Sequence, residues 1–243
     1  MTTMSAAAIW HDTECGSYTA DLGAWRELAS ASSGGVLELG SGTGRVALHL
    51  ARRGHQVWGI DRERELVEVL DERGAAEGLP VRAIEADARR LELDRGFDLA
   101  IAPMQFVQMV GDERERDTVL RRAAAHLERG GRLAAAILDG VPHDLDGAPA
   151  PLPDVRELRG RVYCSVPVDV AIDGDRLELR RLRQIVSPSG ELTEQEHAES
   201  LRVLDPEALE EEGEAAGLRP RGRISVPAEN GYVGSVIVVL ERP

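Results

Sequence analysis

Three glycines at alternate positions, Gly40, Gly42 and Gly44, follow a short apolar run in the first quarter of the chain. Glycine has no Cβ, so a loop with this spacing can bend sharply and lets a ligand lie against its backbone. The run that leads into the loop, 36–39, is typical of a buried strand, and 46–51 continues as an amphipathic helix. A strand, a glycine loop and a helix in this order predict a ligand-binding turn of an α/β protein.

The residues around the glycine loop discriminate between possible ligands. A dinucleotide-binding loop reads G-x-G-x-x-G and presents N–H groups and a helix N-terminus to a pyrophosphate. Here Arg45 occupies the sixth position, and Glu38 lies two residues before the first glycine. A carboxylate there repels phosphate but suits a ligand that carries an ammonium. S-adenosylmethionine, which has an ammonium, a sulfonium and no phosphate, is therefore favoured over NAD.

Two further acids follow at the intervals of a βαβ unit. Residues 56–60 read as a second strand that ends at Asp61, whose carboxylate can accept hydrogen bonds from both ribose hydroxyls. After a third strand, Asp87 can accept from the adenine amino group while the N–H of Ala88 meets a ring nitrogen. Each acid also has a structural interpretation, because Asp61 could cap the next helix and Asp87 could be a solvated turn residue.

Taken in order, E-x-G-x-G-x-G, Asp61 and Asp87 resemble the class I S-adenosylmethionine-dependent methyltransferases of the small-molecule type. The resemblance covers roughly 18–139 and, more loosely, the C-terminal strands. It implies S-adenosylmethionine as the cofactor and methyl transfer to an O, N or C atom of a small molecule. The residues expected to contact the cofactor are Tyr18, Glu38, Gly40, Ser41, Gly42, Arg45, Asp61, Arg62, Asp87, Ala88 and Pro103.

The N-terminal segment resembles the aromatic lead of the same family, in which aromatic residues close over the methionyl end of the cofactor. Tyr18 matches that pattern, whereas Trp10 stands where a tyrosine is often found. Tyr18 and Trp25 could equally serve only to hold the first predicted helix, 18–31, against the sheet.

Candidate catalytic residues follow the fourth and fifth predicted strands. Gln105 and Gln108 supply neutral donors and acceptors, and an amide is costly to bury without partners. His143 is well placed to remove a proton from the acceptor, with Asp139 as its partner, and His11 is an alternative base. A histidine in a loop could instead be only solvent-exposed.

The amino-acid composition argues against several classes of binding partner. The net charge of −14 disfavours nucleic acid, and every basic residue is an arginine, so no lysine amine can act as base or nucleophile. Two cysteines and scattered histidines do not indicate a metal site. We expect no membrane span and a cytoplasmic location, since no apolar run has the necessary length and the cysteine content suits a reducing compartment.

The alternation of strands and helices predicts a doubly wound, mostly parallel, seven-stranded Rossmann-like sheet. A change to a period of two in the C-terminal half predicts an antiparallel β insertion. We therefore expect a lead and core over 1–144, an antiparallel cap over 145–203, and the last helix and strands of the core over 204–243. The cap is also the expected surface of a homodimer.

Two alternatives to a methyltransferase remain open on the sequence. A non-catalytic protein could bind S-adenosylmethionine without transferring its methyl group. An NAD-dependent oxidoreductase is the other alternative, and the sixth-position arginine and the acid before the glycines oppose it. Isotopic methyl transfer separates the first alternative from the enzyme, and titration with each cofactor separates the second.

Overall fold

A computed structural model describes residues 4–139, 152–229 and 232–243. The helices of this part are α1 (Ala6–Cys15), α2 (Leu22–Ser30), α3 (Arg45–Ala51), α4 (Arg64–Glu77), α5 (Phe106–Met109), α6 (Glu113–Ala125) and α7 (Pro206–Ala215), with a 3₁₀ turn at Ala88–Arg90. The strands are β1 (Val36–Leu39), β2 (Val57–Asp61), β3 (Val81–Glu85), β4 (Phe97–Ala102), β5 (Leu127–Ile137), β6 (Asp154–Leu158), β7 (Arg161–Asp173), β8 (Arg176–Val186), β9 (Leu192–Arg202), β10 (Arg219–Val226) and β11 (Ser235–Glu241).

The main sheet has seven strands in the order β10-β11-β5-β4-β1-β2-β3. Strands β1 to β5 pair in parallel, and β11 is antiparallel to both of its neighbours. The central strands are buried along their whole length, as in β1, because helices pack on both faces of the sheet. The predicted doubly wound sheet is confirmed.

A second sheet is formed by β6 to β9, which pair in sequence as an antiparallel meander. This sheet, which we call the cap, confirms the antiparallel insertion. The division of the chain at 144 and 203 stays a prediction. Within the described residues, no helix is both long enough and apolar enough to span a bilayer.

Two local predictions were wrong. The predicted first helix, 18–31, begins only at Leu22, as α2, and it is preceded by a separate helix, α1, which was not predicted. The buried acids of α1 interrupt the apolar pattern by which such a helix is recognised. The sequence also predicts a helix over 113–128 that is stopped by Gly130 and Gly131, but α6 already ends at Ala125, and β5 begins at Leu127 and runs through both glycines.

Helix α1 is joined to the cap by a buried ion pair. The carboxylate of Glu14, only 7% exposed, accepts hydrogen bonds from Nε of Arg183 at 2.7 Å and from Nη2 of Arg183 at 2.6 Å. The hydroxyl of Ser165 donates to the same carboxylate at 2.7 Å, and the Arg183 guanidinium lies 5.2 Å from the centre of the Trp10 ring. A guanidinium and a carboxylate can be buried together because each satisfies the other, so neither can be removed alone without cost.

The same helix is joined to the core by Asp12. Its carboxylate pairs with Arg73 of α4 and lies 2.6 Å from Arg156 of β6. The hydroxyl of Thr43, in the glycine loop, donates to it at 2.6 Å. Helix α1 therefore lies between the core and the cap and is bonded to both.

We expect Glu14→Ala to destabilise the protein by about 3–5 kcal/mol, because it leaves the Arg183 guanidinium buried without a counter-charge. The free energy of unfolding in urea measures the effect. The matched control is Glu211→Ala on the exposed side of α7, for which a change below about 0.5 kcal/mol is expected. Equal stabilities of the two variants would show that the ion pair contributes nothing.

The same pair predicts a dependence on pH. Burial alone would raise the pKa of Glu14, but the hydrogen bonds from Arg183 and Ser165 outweigh burial and hold that pKa below 4.5. The folded-state pKa is thus lower than the unfolded one, so the stabilisation is complete above the unfolded value and is lost as the pH falls through the folded value. The stability difference between wild type and Glu14→Ala should therefore shrink on acidification, and a constant difference down to pH 2 would contradict it.

Candidate active site

The three glycines of the loop between β1 and α3 all have positive φ, and two of them also lie against rings of other residues. Gly40 and Gly42 have φ values of 66° and 53°, in the left-handed region. A Cβ on Gly40 would lie 2.3 Å from Cδ2 of Phe106, and a Cβ on Gly42 would lie 2.1 Å from Nε2 of His11. Both glycines therefore allow a backbone shape and a close approach of neighbouring rings that a side chain would prevent.

Asp61, at the carboxyl end of β2, holds the glycine loop in place. Its Oδ2 accepts a hydrogen bond from the N–H of Gly42 at 2.8 Å, and its Oδ1 accepts from the N–H of Glu63 at 2.9 Å. A carboxylate has about four acceptor positions, so both oxygens retain a position for a ribose hydroxyl. The structural and the cofactor-binding interpretations of Asp61 are compatible.

Glu38 is a buried acid beneath the glycine loop. It is 2% exposed, and burial raises the pKa of its carboxyl to about 8. A carboxyl that holds its proton at neutral pH does not present the negative charge assumed from the sequence. Its Oε2 and the hydroxyl of Ser41 are buried without a hydrogen-bond partner among the described residues, and such polar atoms favour a polar ligand nearby.

Arg45 and Tyr18 form a buried cluster with α2. The Arg45 guanidinium donates to both carboxylate oxygens of Asp21, at 2.6 and 2.7 Å, and to the carbonyl of Tyr18 at 3.0 Å. The Tyr18 ring is 5% exposed and lies 5.0 Å from that guanidinium. The indole N–H of Trp25 completes the cluster by donating to Asp21 at 2.8 Å. These contacts hold the start of α3, and no local pattern in the sequence indicates Asp21 as their centre.

Asp87 follows β3 as expected, but its carboxylate already has partners. Both oxygens accept from the guanidinium of Arg89, and Oδ1 also accepts from the N–H of Arg89 at 2.9 Å. The hydrogen bonds from Arg89 lower the pKa of Asp87 to about 2, so it is ionised. Ala88 begins the 3₁₀ turn beside it, and Arg62 is exposed with Glu63 as its ion-pair partner at 3.4 Å.

The turn after β4 contains two consecutive residues in a conformation that side chains disfavour. Met104 and Gln105 have φ values of 52° and 56°. Such residues cost about 1–3 kcal/mol each and occur most often at functional sites. The turn places Phe106 against Gly40 and leaves the half-buried Gln105 amide without a hydrogen bond to the described residues. Pro103 precedes the turn, and the sequence offered no signal for this backbone shape.

Gln108 bonds through its amide to two segments outside its own helix. Its Nε2 donates to the carbonyls of Leu138 at 3.2 Å and Arg202 at 3.0 Å, and its Oε1 accepts from the N–H of Leu138 at 2.7 Å. Both amide hydrogens are used, so Gln108 has none left to donate to a methyl acceptor. Its described contacts instead join α5 to the ends of β5 and β9.

A cavity of about 240 Å³ lies between the cap, α7 and the end of β5. It has a mostly apolar lining and two acidic side chains, Asp139 and Asp205. Gln108 borders it, so this cavity adjoins the turn after β4.

Of the two histidines considered as bases, the structure describes only one. His143 lies outside the described residues. His11 lies against the glycine loop, with its Nδ1 3.0 Å from the hydroxyl of Thr43. Burial is the main reason that the pKa of His11 is lowered below 6.5. Among the residues that the structure describes, no group of three or more His, Cys, Asp or Glu side chains is arranged to hold a metal.

These residues fit an S-adenosyl ligand. Gly40 and Gly42 provide backbone that a ligand can approach, and Asp61 supplies acceptors for ribose hydroxyls. The unpartnered oxygen of Glu38 and the hydroxyl of Ser41 lie beneath the same loop. Arg45, the arginine at the end of this loop, is already paired with Asp21 and is therefore not free to bind a phosphate.

Comparison with known proteins agrees with this geometry. Residues 36–131 match the model of a family described as a methyltransferase domain. The chain is 34% identical over 104 residues to the cypemycin N-terminal methyltransferase of a Streptomyces species, a match that covers 43% of this chain and 40% of that protein. A second relative, an uncharacterised methyltransferase of Bacillus mycoides, is 29% identical over 45% of this chain and 50% of its own length. The matches thus span half or less of the curated relatives.

Solved structures of methyltransferases share the fold over nearly the whole chain. The sugar N-methyltransferase KedS8 from a Streptoalloteichus species is 19% identical with a TM-score of 0.75, covering 100% of this chain and 95% of that one. The CcbJ methyltransferase from Streptomyces caelestis is 22% identical with a TM-score of 0.70, covering 92% and 90%. Residues 36–131 are thus similar to a methyltransferase domain, and the chain has the fold of these solved methyltransferases.

Proposed function

We propose that this protein uses S-adenosylmethionine to methylate an amine nitrogen of a small molecule. The observation that carries the cofactor assignment is the glycine loop whose Gly42 N–H is bonded to Asp61, so that loop and ribose-binding acid form one surface. The family match over 36–131 supports the same activity.

The order of the strands sets the direction in which the cofactor lies. β3, β2, β1 and β4 are adjacent in the sheet and parallel, so their carboxyl ends share one edge. Ligands of open α/β sheets bind at that edge. Asp87 would then hold the adenine, Asp61 the ribose, and the glycine loop and Pro103 the methionyl end. The turn that carries Gln105 would border the methyl group that the cofactor supplies.

The charges of the protein favour an amine as the acceptor. The chain carries a net charge of −14, and the cavity beside the turn after β4 has Asp139 and Asp205 in its lining, together with Arg202, which is itself paired with Asp175. Carboxylates in a partly apolar cavity attract a cationic small molecule. Two proteins similar to this one are named a cypemycin N-terminal methyltransferase and a sugar N-methyltransferase, KedS8, and an N-terminus and an amino sugar both offer an amine.

The protein's part in such a reaction is chiefly to align the reactants and exclude water. S-adenosylmethionine supplies an electrophilic methyl group on sulfur. Gln105 is the unpartnered amide at the turn and is proposed to orient the acceptor, while Gln108 holds that turn against β5 and the cap. An amine attacks only in its neutral form, so its ammonium must lose a proton, and His143 remains our proposed acceptor of that proton.

Asp61→Asn tests the cofactor assignment. This substitution keeps one carbonyl oxygen but lacks the charge, so we expect affinity for S-adenosylhomocysteine to fall by about 1.5–3 kcal/mol. Asparagine is preferable to alanine because Asp61 also holds the N–H groups of Gly42 and Glu63. Calorimetric titration measures the change.

The matched control is Asp71→Asn, an exposed aspartate of α4, which should bind as wild type does. Wild-type affinity in Asp61→Asn would refute the ribose assignment. Wild-type protein that binds NAD and not S-adenosylhomocysteine would refute the proposed function as a whole.

A panel of matched acceptors tests the amine. Peptides with a free N-terminus and amino sugars are compared with their N-acetylated forms and with sugars that bear hydroxyl in place of amino. We expect methyl transfer to amines only, with the rate rising with pH as more of the amine becomes neutral. Mass spectrometry of the product and release of S-adenosylhomocysteine measure transfer. Equal transfer to the hydroxyl analogues would show that oxygen is the atom methylated.

A further inference from the structure

His11 is held in a fixed orientation against the glycine loop. Its Nδ1 lies 3.0 Å from Oγ1 of Thr43. A Cβ placed on Gly42 would lie 2.1 Å from its Nε2 and 2.4 Å from its Cε1, so the Nε2 side of the ring packs against this glycine. No hydrogen bond links Nε2 to any residue of the described chain, and the side chain is only half-buried.

The hydrogen bonds of Thr43 determine which nitrogen of His11 carries the proton. The Thr43 hydroxyl donates its only hydrogen to Oδ1 of Asp12 at 2.6 Å. Asp12 is ionised, since its hydrogen bonds with Arg73 and Thr43 outweigh the effect of burial and lower its pKa, so it can only accept. Toward His11 the Thr43 oxygen can therefore only accept, and Nδ1 must donate. A neutral His11 consequently has an unprotonated Nε2.

The unprotonated nitrogen lies beside the glycine loop, which is the proposed binding site of the cofactor. Gly42 is bonded to Asp61, the ribose-binding acid, and belongs to the loop over which the methionyl end extends. Two groups of S-adenosylmethionine in this region carry a hydrogen that Nε2 can accept, the ammonium and a ribose hydroxyl. Each of these groups is a hydrogen-bond donor, an N–H or an O–H, so Nε2 can bind either in the same way.

We propose that His11, through Nε2, is a cofactor-binding residue that accepts a hydrogen bond from S-adenosylmethionine. This assignment rests on the proposed function, because it requires that S-adenosylmethionine occupy the loop. It also gives α1 a part in cofactor binding, since His11 is adjacent to Asp12, through which α1 is bonded to Arg73 and Arg156.

The charges that face His11 come from four elements. Asp12 of α1 and Asp61 of β2 favour its protonation, whereas Arg45 of α3 and Arg73 of α4 oppose it. Burial is the largest influence and lowers the pKa of His11 below 6.5, so the ring is neutral at neutral pH. Protonation would replace the acceptor with a donor, so cofactor affinity should fall as the pH falls through this lowered pKa.

Two substitutions separate the roles of the two ring nitrogens. In His11→Asn the side-chain amide can still donate to Thr43 but does not reach the position of Nε2. In His11→Gln the longer side chain can present its amide oxygen near that position. His55→Asn is the matched control, because His55 precedes β2 at the end opposite to Asp61.

The experiment titrates each variant with two ligands. S-adenosylhomocysteine carries both the ammonium and the ribose, whereas 5′-methylthioadenosine carries the ribose alone. We expect His11→Asn to bind S-adenosylhomocysteine about 10-fold to 100-fold more weakly than wild type, and His11→Gln to recover part of the loss. The loss should be smaller at acid pH, where the wild-type histidine is protonated, and thermal unfolding midpoints should not follow the affinities.

The pattern of affinity losses shows which group of the ligand, if any, His11 binds. A loss confined to S-adenosylhomocysteine supports the ammonium as donor, and a loss for both ligands that His11→Gln relieves supports a ribose hydroxyl. Unchanged affinity in His11→Asn overturns the proposal, as does an equal loss in both variants with no dependence on pH, which indicates packing alone. If wild-type protein binds neither ligand, the proposed function fails, which is a different result.

Discussion

The carboxylate of Asp12 is the interaction on which the arrangement of this protein depends. It is 7% exposed and is shared among three parts of the molecule: Thr43 of the glycine loop, Arg73 of the core and Arg156 of the cap. A buried carboxylate is stable only while its partners are present. Asp12 therefore fixes the position of α1 relative to both sheets, and with it the position of the neighbouring His11.

The buried ion pairs described above all have arginine as the cation. The guanidinium of Arg183 binds Glu14 with two hydrogen bonds, and Arg45 binds Asp21 in the same manner. A planar group with five donors can bond two carboxylate oxygens at once and still contact an aromatic face, as Arg183 does with Trp10. Lysine has neither property. The ion pairs between α1 and the cap thus depend on the geometry of the guanidinium as well as on its charge.

Features that depend on the pattern of neighbouring residues were predicted correctly from the sequence. β2 and β4 are recognised by short, largely apolar runs, and the glycine loop and Asp61 by their spacing within a βαβ unit. Prediction failed for α1, because the acids that make this helix important also conceal its apolar face. The contacts of Asp12 and Glu14 join residues far apart in the chain, so no local pattern reveals them.

At the candidate site, residue type was more predictable than residue role. Arg45 and Gln108 lie in the expected segments, yet their polar atoms are bonded within the protein. Glu38 is an acid in the expected place, but its charge depends on burial, which a sequence does not state. The left-handed pair at Met104 and Gln105 depends on packing around the turn, and neither residue type indicates it.

The amide of Gln108 has a mechanical consequence for the molecule. It ties α5 at once to the last residues of β5 and to Arg202 at the end of the cap. A tilt of the cap away from the sheet must either break these hydrogen bonds or pull α5 with it. Phe106, the first residue of α5, lies against Gly40, so such a displacement would also move the ring that covers the first glycine of the loop. The position of the cap and the position of the ring over the glycine loop are therefore linked through α5.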